Sequence, residues 1–275
     1  MPTTTPTDTT TAIETTGNTS TIYGPVKSWR YGWSLGVDLI RDISTCSFNC
    51  IYCQLGDIVD KSNTRRLFVS TEEVLKDLEA SNWQQADIIT LSGSGEPTLA
   101  LNLKEVLHEI KRLTQKQTLV LTNGTLLTNP DVIDALQEAD TVAVKLDAAT
   151  DAKLQQMNRP IAGITLESII TGFKTFKATY KGKLSIQSMF MPTNLNEVDA
   201  LIALVKDLAP DELQLNTPKR PYPTGWHVDS RGNHSDNAPY EFRTLRTISI
   251  EEAKAIEARF RQETGVPVLT IYPET

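Results

Sequence analysis

The only three cysteines of this 275-residue chain lie close together, at Cys46, Cys50 and Cys53. Their C-x3-C-x2-C spacing puts three thiolates on one short loop. Such a loop can hold three corners of a four-iron, four-sulfur cube without a distant protein ligand, because soft sulfur ligands suit iron–sulfur clusters. The fourth iron is then left without a protein ligand. We therefore predict one [4Fe-4S] cluster bound by these three cysteines.

Zinc binding and disulfide formation are the alternative uses of these thiols. A structural zinc site needs four ligands, usually in two C-x2–4-C pairs or with histidines at a fixed spacing. The three histidines, His108, His227 and His234, are far from the cysteines along the chain. Disulfide pairing would leave one thiol over. A zinc site and a chance occurrence of three close cysteines stay open as alternatives, but the C-x3-C-x2-C spacing favours the iron–sulfur cluster.

The charge balance limits the range of partners. Lys and Arg total 27 against 34 Asp and Glu, which gives a net charge of −7. This balance does not indicate a general polyanion binder and argues mildly against tRNA. No apolar stretch approaches the length of a membrane span, and the N-terminus lacks the order of a signal peptide. We expect a cytoplasmic protein with no membrane partner, in agreement with thiols kept reduced for metal binding.

Composition also suggests the domain boundaries. Residues 1 to 21 are rich in Thr and poor in apolar side chains. Such a segment buries too little apolar surface to offset the entropy of ordering, so it is predicted to be a disordered tail. Residues 22 to 275 are expected to form one domain, with a core at 34 to 217 and a C-terminal loop and helix at 218 to 275.

Short β-like runs alternate with segments of helical period from Ser34 onward, as in a parallel sheet with crossover helices. Ser70 and Ser249 begin predicted capping boxes, and Pro130 fits the first turn of a helix after Asn129. Six strand–helix units are too few for an eight-stranded barrel. The predicted fold is therefore an α/β open partial barrel. The predicted strands are 34–39, 87–92, 118–122, 141–147, 184–190 and 212–216.

Alternation along these strands predicts which side chains face the barrel interior. In strand 141–147 the apolar residues Val142, Val144 and Leu146 would face the helices, which leaves Lys145 and Asp147 inside. Other predicted interior residues are Thr90, Ser92, Ser185, Gln187, Met189, Gln214 and Asn216. Burying polar groups without partners costs free energy, so they predict a cavity for a polar ligand. A self-satisfied Lys145–Asp147 pair is the alternative for those two residues.

Further motifs support a family resemblance. Gly93-Ser94-Gly95-Glu96-Pro97 is similar to a Gly-Gly-Glu-Pro segment, and Thr122-Asn123-Gly124 to a segment at the end of the following strand. Together with the cysteine spacing, these residues resemble the radical S-adenosylmethionine enzymes. Tyr52, just before the third cysteine, matches the aromatic position that lies near the adenine of S-adenosylmethionine in that family.

Longer segments are similar to a narrower subgroup, the compact iron–sulfur oxidoreductases related to wyosine-tRNA synthases. The chain departs from the pattern at Trp29, where a second basic residue is expected beside Arg30. It also lacks the extra cysteines that wyosine synthases are expected to carry for a second cluster. The matching segments are Tyr23-Gly24-Pro25-Val26, Ser34-Leu35-Gly36-Val37-Asp38-Leu39, Cys50-Ile51-Tyr52-Cys53-Gln54-Leu55-Gly56 and Asn216-Thr217-Pro218-Lys219-Arg220-Pro221.

The resemblance implies a mechanism and a set of site residues. S-adenosylmethionine would bind the open iron, and one electron from the cluster would release methionine and a 5′-deoxyadenosyl radical that removes hydrogen from a substrate. Gly95 would let the backbone approach the cofactor, and Glu96 would accept from its ammonium. The predicted cofactor-binding residues are Tyr52, Gly95, Glu96, Asn123 and Gln187, and the predicted catalytic residues are Lys145, Asp147 and Arg220.

The stretch from 218 to 247 begins at the exit of the last predicted strand, where loops of such barrels build active sites. We expect it to cover the substrate, with Arg220 holding a carboxylate or phosphate at the cavity mouth. The expected partners are an electron donor such as flavodoxin or ferredoxin, and a small-molecule substrate or tRNA.

Two other functions remain open. An activase that installs a glycyl radical on a partner protein shares the compact layout with a single cluster. A non-catalytic iron–sulfur sensor would need the cysteines but neither Gly95-Glu96 nor a polar interior.

Overall fold

The computed structural model describes residues 19–218, 222–231 and 240–272. The strands are β1 (Ile22–Ser28), β2 (Gly32–Val37), β3 (Thr45–Cys46), β4 (Asp60–Lys61), β5 (Ile88–Leu91), β6 (Gln117–Thr122), β7 (Thr141–Lys145), β8 (Lys183–Met189), β9 (Glu212–Asn216), β10 (Tyr222–Pro223), β11 (Phe242–Arg243) and β12 (Val268–Thr270). The α-helices are α1 (Thr71–Glu79), α2 (Leu103–Thr114), α3 (Pro130–Leu136), α4 (Asp151–Met157), α5 (Leu166–Lys177), α6 (Val198–Leu208) and α7 (Ile250–Thr264).

The main sheet has eight strands in the order β1-β2-β5-β6-β7-β8-β9-β12. All neighbours pair in parallel except β1, which runs antiparallel to β2. The predicted α/β open partial barrel is confirmed, and β2 with β5 to β9 are its six predicted strands. The two edge strands were not predicted. Gly24 and Pro25 interrupt the β pattern of β1, and β12 is only three residues long.

The helix starts follow the predicted caps. The Ser249 capping box is complete, and Asn129 caps α3 with Pro130 in its first turn. Ser70 accepts from the backbone N–H of Glu73, but the Glu73 carboxylate bonds to Arg41 instead of closing the box. The ion pair between Glu73 and Arg41 thus takes the place of the second hydrogen bond of the predicted capping box.

The two faces of the sheet follow the predicted alternation. Val142, Val144 and Leu146 are buried in the main core between sheet and helices. On the other face, Lys145 of β7 pairs in register with Gln187 of β8, which pairs with Gln214 of β9. Lys145, Gln187 and Gln214 therefore form one row across the interior wall.

The interior face also carries apolar side chains that were not predicted. Ile88, Leu119 and Ala143 form a separate apolar cluster, with Tyr31 and Leu121 packed against it. Ile88 lies two residues before the interior residue Thr90 of β5, and Ala143 lies two residues before Lys145 of β7. In these two strands the polar interior residue is therefore the one nearer the carboxyl end.

Most of the predicted N-terminal tail lies outside the described residues. Thr21, at its end, is fully buried, and its N–H and hydroxyl bond to the Asp77 carboxylate at 2.7 and 2.9 Å. Within the described part of the chain, no helix has the length and apolarity needed to cross a membrane.

Candidate active site

The cysteine loop is held in place by the C-terminal end of α4. The carbonyl of Met157 accepts from the Ile51 N–H at 2.9 Å, and the carbonyl of Asn158 accepts from the Asn49 N–H at 2.9 Å. The Ser47 carbonyl accepts from Ile161 at 2.9 Å. These bonds satisfy backbone groups that a buried irregular loop would otherwise leave unpaired. The cysteine loop is thereby fixed against the end of α4 and the residues that follow it.

The glycine-rich segment predicted to contact the cofactor lies against the start of this loop. Thr45 and Gly95 form a parallel bridge, with Thr45 N–H bonded to the Ser94 carbonyl and Glu96 N–H bonded to the Thr45 carbonyl, each at 3.0 Å. Cys46 directly follows Thr45. The first predicted cluster ligand and the Gly95-Glu96 segment are therefore joined through the backbone.

Glu96 is buried, and its carboxylate accepts four hydrogen bonds from the protein. The donors are the Thr98 N–H and hydroxyl, the Thr122 hydroxyl and the Asn123 N–H, at 2.7 to 3.1 Å. Burial raises the pKa of Glu96, and these bonds partly oppose the shift. Glu96 thus anchors the end of β6. Its predicted contact with an ammonium group stays a prediction.

Asn123 connects the end of β6 to the cysteine loop. Its side-chain amide donates to the Ser47 hydroxyl at 2.9 Å and approaches the Cys46 sulfur at 3.5 Å. Its carbonyl oxygen accepts from the Thr125 N–H and hydroxyl. Asn123 therefore combines a turn-forming role with a contact to a predicted cluster ligand.

Nitrogen donors lie near two of the three cysteine sulfurs. All three cysteines are free, and N–H groups of Phe48 and Asn158 lie 3.4 Å from the sulfurs of Cys46 and Cys50. Burial raises the pKa of each thiol, that of Cys53 to about 12. Among the described residues, no three His, Cys, Asp or Glu side chains are grouped to hold a single metal ion. Three thiolates on one loop have the chemistry that an iron–sulfur cluster needs, because each thiolate can bind its own iron.

Tyr52 and Asp147 lie together behind the loop. The Tyr52 hydroxyl donates to one Asp147 oxygen, and the Asn158 amide donates to the same oxygen at 2.7 Å. The other Asp147 oxygen accepts from the Met189 N–H at 2.7 Å. Burial, followed by the negative charge of Asp147, raises the pKa of Tyr52 well above its usual range. Asp147 thus takes its hydrogen bonds from Tyr52, Asn158 and Met189, and the Lys145 ammonium lies 3.7 Å from it.

Lys145 differs from Asp147 in its hydrogen bonding. Its ammonium lies 3.7 Å from Asp147 and 4.7 Å from the centre of the Tyr52 ring, with the side chain 18% exposed. Within the described part of the chain, its Nζ makes no contact of hydrogen-bonding length. Beside it, the Gln187 side chain makes one polar contact with the residues that the structure describes, at 3.5 Å to the Gln214 side chain. Lys145 and Gln187 therefore present polar atoms to the interior that a ligand can engage.

Comparison with known proteins identifies the family. The model of the radical SAM superfamily matches residues 40–205, which include the three cysteines and Gly95-Glu96. The chain belongs to the radical SAM superfamily. It is also 47% identical to a UPF0026 protein of Synechocystis, over 90% of this chain and 94% of that protein, and so belongs to that family of radical SAM proteins.

Solved structures share the fold. SuiB of Streptococcus suis, in a crystal with S-adenosylmethionine, gives a TM-score of 0.60 at 14% identity over 86% of this chain. This chain spans only 50% of SuiB. TYW1 with a lysine–pyruvate adduct gives a TM-score of 0.60 at 14% identity, over 84% of this chain and 74% of that one.

In this radical SAM protein, part of the predicted cover packs on the cysteine loop. We call residues 222–231 the strap. The backbone carbonyl of Arg231 accepts a hydrogen bond from the Gln54 amide at 3.0 Å. The buried guanidinium of Arg231 donates to the Asp38 carboxylate at 3.0 Å. Tyr222 packs in one cluster with Tyr52. The strap therefore contacts the cysteine loop on the side that follows Cys53. Arg220 lies outside the described residues, and its role stays a prediction.

Three residues of this site were missed in the sequence. Asp38 bonds to the Ser94 hydroxyl and to Arg231, and Asn158 bonds to the Cys50 sulfur. Asp38 falls within a segment that carried the resemblance, which was its one available indication. Asn158 precedes Arg159-Pro160, a pattern that indicates only a helix end. No helical or strand periodicity in the sequence around Arg231 indicates that its side chain is buried.

Proposed function

We propose that the protein binds one [4Fe-4S] cluster through Cys46, Cys50 and Cys53 and uses it to cleave S-adenosylmethionine reductively. The observation that carries this proposal is the Thr45–Gly95 bridge, which joins the first cluster ligand to the segment expected to hold the methionyl group. The S-adenosylmethionine in the SuiB crystal, on the same fold, supports the choice of cofactor.

When bound, the cluster would supply one electron to the sulfonium of S-adenosylmethionine, the chemistry that would break its sulfur–carbon bond, release methionine and leave the 5′-deoxyadenosyl group to take a hydrogen atom from a substrate. The protein's own residues supply position and enclosure. Asn123 and Asn158 orient Cys46 and Cys50, while Gly95 allows close approach of the backbone. Buried Tyr52 and the strap shield the loop from water.

The substrate is proposed to be a small molecule or a base within RNA that binds the polar end of the interior. Lys145 and Gln187 offer an ammonium and an amide there, while Ile88, Leu119 and Ala143 form an apolar cluster elsewhere on the interior face. We also propose a one-electron donor such as flavodoxin or ferredoxin.

Anaerobic reconstitution tests the proposal. Wild-type protein should bind about four irons per chain, and the triple Cys→Ala variant at 46, 50 and 53 should bind none. With dithionite and S-adenosylmethionine, the loaded protein should release 5′-deoxyadenosine slowly without substrate. Roughly eight irons per chain, or retained zinc with iron excluded, would overturn the cluster assignment. Failure to release 5′-deoxyadenosine from loaded protein would instead favour the sensor.

A further inference from the structure

Asn158 connects the cysteine loop to the interior wall of the sheet. It follows the last residue of α4, is 1% exposed, and docks the loop through its backbone carbonyl. Its side-chain amide nitrogen lies 3.4 Å from the Cys50 sulfur, 2.9 Å from the Tyr52 oxygen and 2.7 Å from an Asp147 oxygen. A single amide group therefore reaches both a cluster ligand and the carboxylate beside Lys145.

The orientation of this amide is fixed by its neighbours. An ionised carboxylate can only accept hydrogen bonds, and a thiolate is likewise an acceptor. A flipped amide would turn its carbonyl oxygen toward both of them. In the observed orientation the buried Asn158 oxygen finds no hydrogen-bond partner among the described residues. The protein thus leaves one buried acceptor unpaired among the described residues, while the amide nitrogen with its two N–H groups faces Asp147, Tyr52 and the Cys50 sulfur.

We propose that Asn158 sets the reduction potential of the bound cluster by donating an N–H to the Cys50 sulfur. The inference rests on the proposed function, because it needs a cluster on Cys50. Reduction adds one electron, taken from an external donor, and makes the cluster and its ligands more negative. A hydrogen bond to a ligand sulfur stabilises that added charge, so it favours the reduced state. Asn158 is a positioning residue and has no contact with the predicted substrate in this assignment.

Asp147 acts in the opposite direction. Its carboxylate lies one hydrogen bond away from Asn158, and its negative charge disfavours an added electron nearby. Asn158 donates to this carboxylate and so disperses its charge. Removing the amide and neutralising the carboxylate should therefore move the potential in opposite directions. A variant that merely loosened the loop would have no reason to give this reversal.

The test is an anaerobic redox titration of loaded protein, with the reduced cluster measured by electron paramagnetic resonance. At the wild-type midpoint, Asn158→Leu should lower the ratio of reduced to oxidised cluster at least threefold. Asp147→Asn should raise the ratio at least threefold. Iron content and thermal unfolding of each variant serve as controls. Equal ratios in all three proteins, or shifts of both variants in the same direction, would overturn the inference.

Asn158→Ser covers the case in which leucine does not fit. Serine is smaller and too short to reach the Cys50 sulfur, so it should lower the ratio in the same way. If neither variant at 158 holds a cluster although both fold, Asn158 is an anchor of the loop and the tuning role is rejected. Absence of a cluster in the wild-type protein would instead contradict the proposed function.

Discussion

Gly95 lies so close to Thr45 that a Cβ atom at position 95 would fall 1.8 Å from the Thr45 carbonyl oxygen. No side chain can be added there without moving the backbone that leads into Cys46. The same carbonyl accepts a hydrogen bond from the Glu96 N–H. The bridge between Thr45 and Gly95 can therefore form only because position 95 carries no side chain. Glycine at this position is thus required by the packing of the cysteine loop as well as by the approach of a ligand.

Gly95→Ala should therefore impair cluster binding. Overpacking of this kind typically costs about 1–3 kcal/mol, and here the displaced backbone carries a cluster ligand. We expect iron content after reconstitution to fall by at least half. Gly225→Ala is the matched control, because an added Cβ there would meet no atom within 4 Å. Full iron content in Gly95→Ala would show that the loop does not need this contact.

Glu96 should make stability depend on pH. Its pKa is raised in the folded protein, chiefly by burial, so the folded state holds this proton more tightly than the unfolded state. The resulting stabilisation is fully present below the unfolded pKa of about 4.5 and is lost as pH rises through the folded value. The advantage of the wild type over Glu96→Gln should therefore shrink as pH rises above about 4.5.

Urea unfolding of both proteins across that pH range measures the effect. Glu96→Gln also turns an amide group toward the donors of Thr98, Thr122 and Asn123, a mismatch of about 1–3 kcal/mol at any pH. Because this mismatch is the same at every pH, it does not alter the predicted change of the wild-type stability advantage with pH. A wild-type advantage that grows with pH would contradict it.

Arg231 should stabilise the strap through Asp38. Both side chains are buried, and removal of one partner from a buried ion pair typically costs about 3–5 kcal/mol. Arg231→Met should lower the free energy of unfolding by that amount and expose the strap to limited proteolysis. In the double variant with Asp38→Asn, the loss should be smaller than the sum of the two single losses. Additive losses would mean that the pair does not act as a unit.

The faces of the sheet could be predicted because each strand contrasts apolar with polar residues. Val142, Val144 and Leu146 alternate with Ala143, Lys145 and Asp147, and the structure buries the first set under the helices. The cysteine spacing is similarly local, since three ligands lie on one loop. These features depend on short stretches of chain, which is why sequence alone was sufficient.

Contacts between distant segments could not be predicted in this way. Asn158 reaches Cys50 only because the end of α4 docks on the cysteine loop, and no periodicity records that approach. The Arg231–Asp38 pair joins a loop to the end of β2 across most of the chain. The apolar cluster at Ile88 and Leu119 could not be predicted because Ile88-Ile89 and Leu119-Val120-Leu121 are apolar on both faces of their strands, so alternation does not assign them to one side.

Arg220 follows Asn216-Thr217-Pro218 at the exit of β9 and is predicted to hold a carboxylate or phosphate of the substrate. Arg220→Ala should leave iron content and basal release of 5′-deoxyadenosine near wild type. Turnover on the true substrate should fall at least about tenfold, equivalent to about 1.4 kcal/mol. A collapse of basal release would assign Arg220 to the cofactor site.

Lys145 and Gln187 should matter for binding more than for stability. The Lys145 ammonium makes no hydrogen bond within the described residues, and Asp147 takes its bonds from Tyr52, Asn158 and Met189. Methionine has a similar length, so Lys145→Met should fit the same space. We expect at least a tenfold loss of affinity for S-adenosylmethionine or substrate, with a smaller loss for Gln187→Met.

Calorimetric binding and thermal unfolding together decide between a ligand-binding and a structural role for Lys145. Lys104→Met is the matched control, because Lys104 forms its ion pair with Asp134 on the exposed surface, with half of its side chain exposed. If Lys145→Met lowers the melting temperature by more than about 10 °C and leaves binding unchanged, the Lys145–Asp147 pair is structural. If Lys145 instead binds a ligand, Lys145→Met should lose binding and lower the melting temperature by less than that, since within the described residues the ammonium lies 3.7 Å from Asp147 and makes no hydrogen bond that the substitution removes.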